Sequence, residues 1–96
     1  MRRAARADTT QAAIIDALKR VGVSVEVIGK PVDLILCCRG ITSLMECKTP
    51  RPTSEGGAHG LTKDQVEFIA RWPGQIFVAS TPEEAVRMVL GERAMA

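Results

Sequence analysis

Two carboxylates and an amine stand at spacings that could bring them to one place. Asp33 follows Pro31-Val32, and after twelve intervening residues the chain carries Glu46-Cys47-Lys48. The runs DLILCC and ITSLMECK flank Arg39-Gly40 and read as two strands joined by a tight hairpin turn. Symmetric pairing about that turn sets Cys38 opposite Ile41, Leu36 opposite Ser43, Leu34 opposite Met45 and Asp33 opposite Glu46. Residues so opposed share a face, with Cβ atoms roughly 4.5–5.5 Å apart, close enough for both carboxylates to hold one divalent cation. Lys48 lies two positions past Glu46 and projects from the same face, whereas Cys47 points to the other. A bulge or a three-residue loop would shift the register by one and disperse the set.

Without a cation, two opposed carboxylates repel, and protonation of one is the natural relief. A bound Mg²⁺ or Mn²⁺ reverses that penalty. These ions take hard oxygen ligands, keep several waters and accept phosphate oxygens from a substrate. Such an ion polarises a phosphodiester and acidifies its bound water, while the Lys48 ammonium stabilises developing negative charge or orients the attacking water. The reaction class implied is metal-assisted phosphodiester hydrolysis. A purely structural use is available too, in which Asp33 ends a turn and Glu46 pairs with Lys48 or Lys30. For an isolated E-x-K that would be the commoner outcome; here the weight comes from the acid after Pro at one strand start and the acid and lysine at the end of the next.

The remaining elements must hold this hairpin. Asp8 or Thr9 can cap a first helix with the apolar stripe Ile14, Ile15, Leu18 and Val21, ended by Gly22. Gln11 falls on that stripe, so its amide is aimed inward and needs a partner. VSVEVI (23–28) alternates as a strand with one solvated face, and GKP interrupts it. Both faces of the following hairpin are apolar, which calls for helices on each side and hence an α/β layer structure. TPRPTSEGGAHG (49–60) is expected to be a flexible loop; it carries Arg51 and His59, which could meet phosphates but in such loops are more often simply solvated. Thr62 opens the next helix: Gln65 completes a T-x-x-Q capping box, Leu61 and Val66 form a hydrophobic staple, Phe68, Ile69 and Trp72 make the buried stripe, and Pro73-Gly74 ends it. QIFVA (75–79) is a short strand, and Thr81-Pro82-Glu83-Glu84 starts a last helix with another capping box, ended by Gly91. The order is helix, three strands, helix, strand, helix.

Ninety-six residues with 46% hydrophobic and 25% charged content fit one globular domain over 1–96, with residues 1–7 as a basic arm. No apolar run approaches the ~18 residues of a membrane span. The start MRRAAR is followed by polar DTTQ and not by an apolar signal stretch, so a cytosolic location is the default. Cys37, Cys38 and Cys47 all fall in strand-like runs, cannot all pair with one another and form no C-x-x-C, which excludes a disulfide scaffold and a thiol redox motif. Zinc fits poorly as well, because adjacent cysteines on a strand face opposite ways and the only histidine is in the loop. The net charge of +2 says little, but residues 1–63 hold ten Lys/Arg against six Asp/Glu, a basic bias that suits a polyanion. With aromatic residues at 3%, there is no RNA-type stacking surface, and Trp72 reads as core.

Taken together, Pro31-Val32-Asp33 and Glu46-Cys47-Lys48 resemble the motif of the PD-(D/E)XK nuclease superfamily, with one residue inserted in the P-D. Within that superfamily the chain looks most like the small phage-type VRR-Nuc and Holliday-junction-resolvase-like nucleases, through DTTQAAIIDALKRVG, GKPVDLILCCRG, LMECKTP, LTKDQVEFI and STPEEAV. The resemblance implies a restriction-endonuclease-like αβββαβα core, a mixed sheet flanked by helices, and a Mg²⁺- or Mn²⁺-dependent endodeoxyribonuclease with no organic cofactor. Carried over by position, Asp33, Glu46 and the main-chain carbonyl of Cys47 ligate the metal, and Lys48 acts on the nucleophilic water. Gln65 matches a glutamine at the family's L-T-x-x-Q helix start, near the active site. Gln11 stands where many relatives carry a glutamate that helps hold metal or water, and an amide adds no negative charge there. DNA is the implied partner, with Arg51, Lys30 and Arg39 as candidate contacts, in a bacterial or phage-infected host cytoplasm. Resolving a branched junction needs two symmetric cuts, hence a homodimer. The alternative is a catalytically inactive DNA-binding or assembly module on the same fold, which the missing helix-one glutamate favours.

Overall fold

The start of the chain winds into a helix, α1 (Arg2–Arg20), in a computed structural model that describes residues 2–48 and 61–91 and side chains from Thr9 onward. Asp8 and Thr9 do not cap it: the preceding Arg and Ala residues are strong helix formers with no breaker among them, so the helix continues through both positions. Its C-terminus is where the glycine predicts it. Gly22 adopts φ +90°, its N–H donates to the Lys19 carbonyl, and the Val23 N–H donates to the Leu18 carbonyl. This is the Schellman arrangement, with Val23 and Leu18 both buried as its apolar contact. Val21 falls in that turn and is exposed, so the inward stripe is Ile14, Ile15 and Leu18.

Strands β1 (Ser24–Val27), β2 (Leu34–Cys38) and β3 (Ile41–Cys47) form an antiparallel meander, and β4 (Ile76–Ala79) adds in parallel beside β3 after α2 (Lys63–Arg71). The sheet order is β1-β2-β3-β4. Arg39 and Gly40 have φ of 54° and 81°, the pair of positive values that a two-residue type I′ hairpin requires. The register is accordingly the symmetric one: Cys38 pairs with Ile41, Leu36 with Ser43 and Leu34 with Met45. The last helix, α3 (Pro82–Val86), continues as a π-helical turn over Arg87–Gly91. Thr81 caps it, but the Glu84 carboxylate accepts from the Ser80 N–H, one residue earlier than a regular capping box.

Strand alternation divides the apolar residues between two layers. Leu34, Leu36, Cys38 and Met45 meet Ile14 and Leu18 of α1 and Ala85 and Val89 of the last helix in the larger core. On the other face Leu44 packs with Val32 and with Phe68 of α2, supported by Ile35, Ile69 and Ile76. The described residues thus form a small α/β layer structure with a four-stranded mixed sheet and three helices. Trp72, expected in the core, is 42% exposed. Pro73 excludes helical backbone at the residue before it, so Trp72 caps α2 in an extended conformation (ψ 120°) and lies against the Phe68 ring at 5.2 Å. Val66 also stays exposed, so it forms little of a staple.

Candidate active site

At the end of the β2–β3 ladder, side chains replace backbone partners. Beyond Leu34–Met45, a continued ladder would pair Cys47 with Val32. Instead Val32 turns into the smaller core, fully buried, and the chain leaves the strand line. The Cys47 N–H then donates to Oδ2 of Asp33 at 2.8 Å, and the Asp33 N–H donates to Oε1 of Glu46 at 3.2 Å. Each acid therefore caps the other's strand. Asp33 is held further by its carbonyl, which accepts from the N–H groups of Ile28 and Gly29. Val32, between Pro31 and Asp33, is what anchors the acid to the core.

Glu46 is the most deeply buried of the set, 3% exposed. Its Oε2 accepts from Nε2 of Gln65 at 2.8 Å and lies 3.3 Å from Nζ of Lys48. Burial pushes its carboxyl above the usual carboxylate range, and the neighbouring Asp33 charge pushes it further; the Gln65 hydrogen bond and the Lys48 ammonium pull the other way. Asp33 is thus near enough to act electrostatically on Glu46, and the pair carries more negative charge than one lysine balances. The Cys47 thiol is pushed up to about 12, first by burial and then by the two acids, so in the metal-free chain it is neutral at physiological pH. Its carbonyl is different: in a pleated strand the C=O lies on the same side as the N–H, here toward Asp33.

Gln65 performs both of the roles its position allows. Its Oε1 accepts from the Thr62 N–H at 3.1 Å, the Thr62 hydroxyl accepts from the Gln65 N–H, and the remaining NH₂ group reaches Glu46. The capping box of α2 therefore fixes the amide that grips the site. The sequence offers Gln65 both as a capping residue and as a site residue, and one side chain serves both. Sequence reasoning missed the two backbone donors, Asp33 and Cys47, because main-chain amides leave no mark in residue types.

The other expected residues divide. Lys30 lines a cleft shared with Gln65. Arg39 forms the hairpin turn at the opposite end of β2, roughly 20 Å along the strand from Asp33, and is not part of this cluster. Gln11 is half-buried on α1, but among the described residues no hydrogen bond joins it to Asp33, Glu46 or Lys48. Arg51, His59 and the whole 49–60 segment lie outside the described residues.

A divalent cation with hard-oxygen preference fits this donor set. Among the described residues no three His, Cys, Asp or Glu side chains gather as an all-protein cage. Two carboxylates with a carbonyl nearby, the rest left to water and phosphate, is the ligation Mg²⁺ favours. Burial raises the Glu46 carboxyl first and the neighbouring Asp33 charge second, and a bound cation would offset both by favouring the ionised form. Among the described residues no helix is long and apolar enough to cross a membrane. Compared with models of protein families, with curated proteins and with solved structures, the chain matches none.

Proposed function

We propose that this chain is a metal-dependent DNA endonuclease of the PD-(D/E)XK type, built on a restriction-endonuclease-like core and acting on branched DNA as a homodimer. The observation that carries the reading is the interlocked set Asp33, Glu46 and Lys48, in which the acids cap each other's strands and the amine stands 3.3 Å from Glu46. The element order αβββαβα and the mixed sheet support the same core.

Asp33, Glu46 and the Cys47 carbonyl would hold Mg²⁺ or Mn²⁺, which when bound polarises the phosphodiester and acidifies water. The chain's own residues do the rest. Gln65 and the backbone N–H groups fix the carboxylates, so no reorganisation is needed when the reacting phosphate arrives. Lys48 keeps a partly exposed ammonium at the edge of the buried Glu46, where it can hold the attacking water or meet charge developing on the phosphate. The larger core beneath, with Leu34 and Met45 fully buried, keeps the strand ends from separating.

The test is Mg²⁺-supported cleavage of synthetic four-way junctions, flaps and duplexes. Wild type is expected to cut, and Lys48→Ala to be slower by at least about 10²-fold. Folded, metal-loaded wild type that leaves every substrate intact overturns the proposal. The binding-module alternative, which Gln11 in place of an acid favours, predicts that Asp33→Asn changes neither metal affinity nor hydrolysis.

A further inference from the structure

The sheet order β1-β2-β3-β4 leaves β1 at an edge. Which of its backbone groups face outward follows from the hairpin. A two-residue turn makes Cys38–Ile41 a hydrogen-bonded pair, and such pairs alternate along a strand, so Cys38, Leu36 and Leu34 turn their N–H and C=O groups to β3. Cys37 and Ile35 therefore bond to β1, through their partners Ser24 and Glu26. The Ile28 N–H continues this inward set by donating to the Asp33 carbonyl at 2.8 Å. Val25 and Val27 are left with N–H and C=O groups directed away from the sheet, and among the described residues no strand meets them.

The residues of this edge leave it unguarded. Edge strands are ordinarily protected by lysine, proline or a bulge, and Ser24–Val27 has none of these. Three of its four residues are exposed, Val27 at 58%, and the following Ile28 is 38% exposed. The opposite edge, β4, is half-buried or buried along its whole length. An edge such as β1 is completed by another extended strand, and its residues fit a second β1. In an antiparallel pair about a two-fold axis, three registers bring the outward groups together. Centred on Glu26, two carboxylates would oppose each other across ~4.5 Å, a repulsive pair. Centred on Val27, the pairing runs into Gly29, whose φ of 84° leaves the strand conformation. Centred on Val25, that residue faces its own copy, each Glu26 carboxylate faces the Ser24 hydroxyl of the other chain, and Val27 lies beside Val23 of the other chain. Every cross-strand pair is then compatible, hydroxyl with carboxylate and valine with valine.

We infer that β1 is an interface strand, which pairs antiparallel with β1 of a second copy about a two-fold axis at Val25 to make one eight-stranded sheet. Symmetric cutting calls for two subunits without saying where they meet; this edge supplies the place, and the inference stands or falls independently of the nuclease reading. The axis runs perpendicular to the sheet, so the two Glu46–Lys48 sets lie on one face, roughly 30 Å apart by strand spacing and rise.

The experiment uses the full chain with no substrate. Sedimentation equilibrium of wild type is expected to show a concentration-dependent rise from 10.4 kDa toward twice that mass. Amide exchange followed by NMR is expected to slow at least about tenfold at Val25 and Val27 between dilute and concentrated protein, while the Glu26 and Ile28 amides, bonded within the sheet, are protected at both. Val27→Pro removes one outward donor and leaves the inward ladder whole, so it is expected to keep the wild-type circular dichroism and weaken the dimer at least about tenfold. Ser24→Lys, facing the Glu26 carboxylate of the other chain, is expected to tighten it about threefold. Wild type that stays at 10.4 kDa at every concentration overturns the inference. So does a dimer whose Val25 and Val27 amides exchange as they do in the monomer, a result that holds even if Val27→Pro fails to fold. A dimer weakened by Ser24→Lys rejects the pairing centred on Val25. Cleavage of DNA by a chain that never dimerises rejects this interface alone, and a β1-paired dimer that cuts nothing rejects the nuclease alone.

Discussion

Replacing Gln65 by Ala tests how the site is tied to the fold. The amide does two separable things: Oε1 closes the α2 capping box at 3.1 Å, and Nε2 grips the Glu46 carboxylate at 2.8 Å. A capping interaction is worth about 0.3–1.5 kcal/mol. A hydrogen bond to a charged group contributes about 1.5–3 kcal/mol, and Glu46, 3% exposed, has little access to water as a substitute. Gln65→Ala is therefore expected to cost about 2–4 kcal/mol, which lowers the melting temperature of a domain this size by on the order of 10–20 °C. Gln65→Glu separates the parts, because it keeps an acceptor for the Thr62 N–H but places a third carboxylate beside Glu46 and Asp33. It should destabilise the metal-free protein despite the intact cap, and added Mg²⁺ should restore much of the loss. The assay is urea unfolding in EDTA and in Mg²⁺, with Glu46→Gln as the second background of a double-mutant cycle. If Gln65→Ala costs the same with and without the Glu46 carboxylate, the amide is only a cap and Gln65 is not coupled to Glu46.

Gly40→Val places a β-branched residue at φ 81° and is expected to destabilise by about 1–2 kcal/mol in equilibrium unfolding; a neutral effect would mean that the turn is not type I′. Phe68→Ala should cost about 3–5 kcal/mol as a buried-core truncation. Trp72→Ala, at an exposed helix end, should cost far less, and equal losses would contradict the outward placement of Trp72. The raised Glu46 carboxyl predicts a pH signature. A group that holds its proton more tightly folded than unfolded adds stability fully below its ordinary pKa of 4.5, and that stability is lost as pH rises through the folded value. In EDTA, Glu46→Gln should thus gain stability relative to wild type as pH rises from below 4.5 toward neutrality; a constant or shrinking gap across that range would refute the assigned electrostatics.

Much of the scaffold was legible because its signals are local. The Arg39-Gly40 turn chemistry sets a two-residue hairpin, whose register carries the ladder as far as Leu34–Met45 and leaves Asp33 and Glu46 just beyond it, joined by a hydrogen bond. Gly22, Thr62 and Thr81 ended or opened helices as caps do, by contacts within one turn of chain. Misreadings fell where a local preference met a competitor: Asp8 and Thr9 lost to the helix-forming run before them, and Trp72 was turned outward by Pro73.

What the residue order determined by itself is therefore the element sequence, the hairpin register and the identity of the charged trio, all of which follow from steric and hydrogen-bonding rules within a few residues. Only the tertiary structure decided that Val32 sinks beneath α2, that the acids cap each other's strands through main-chain N–H groups, and that Gln65 spans from its own helix cap to Glu46. Those contacts join positions 13 to 19 residues apart, between elements whose packing is fixed by the shared apolar layers and by no pattern within either segment.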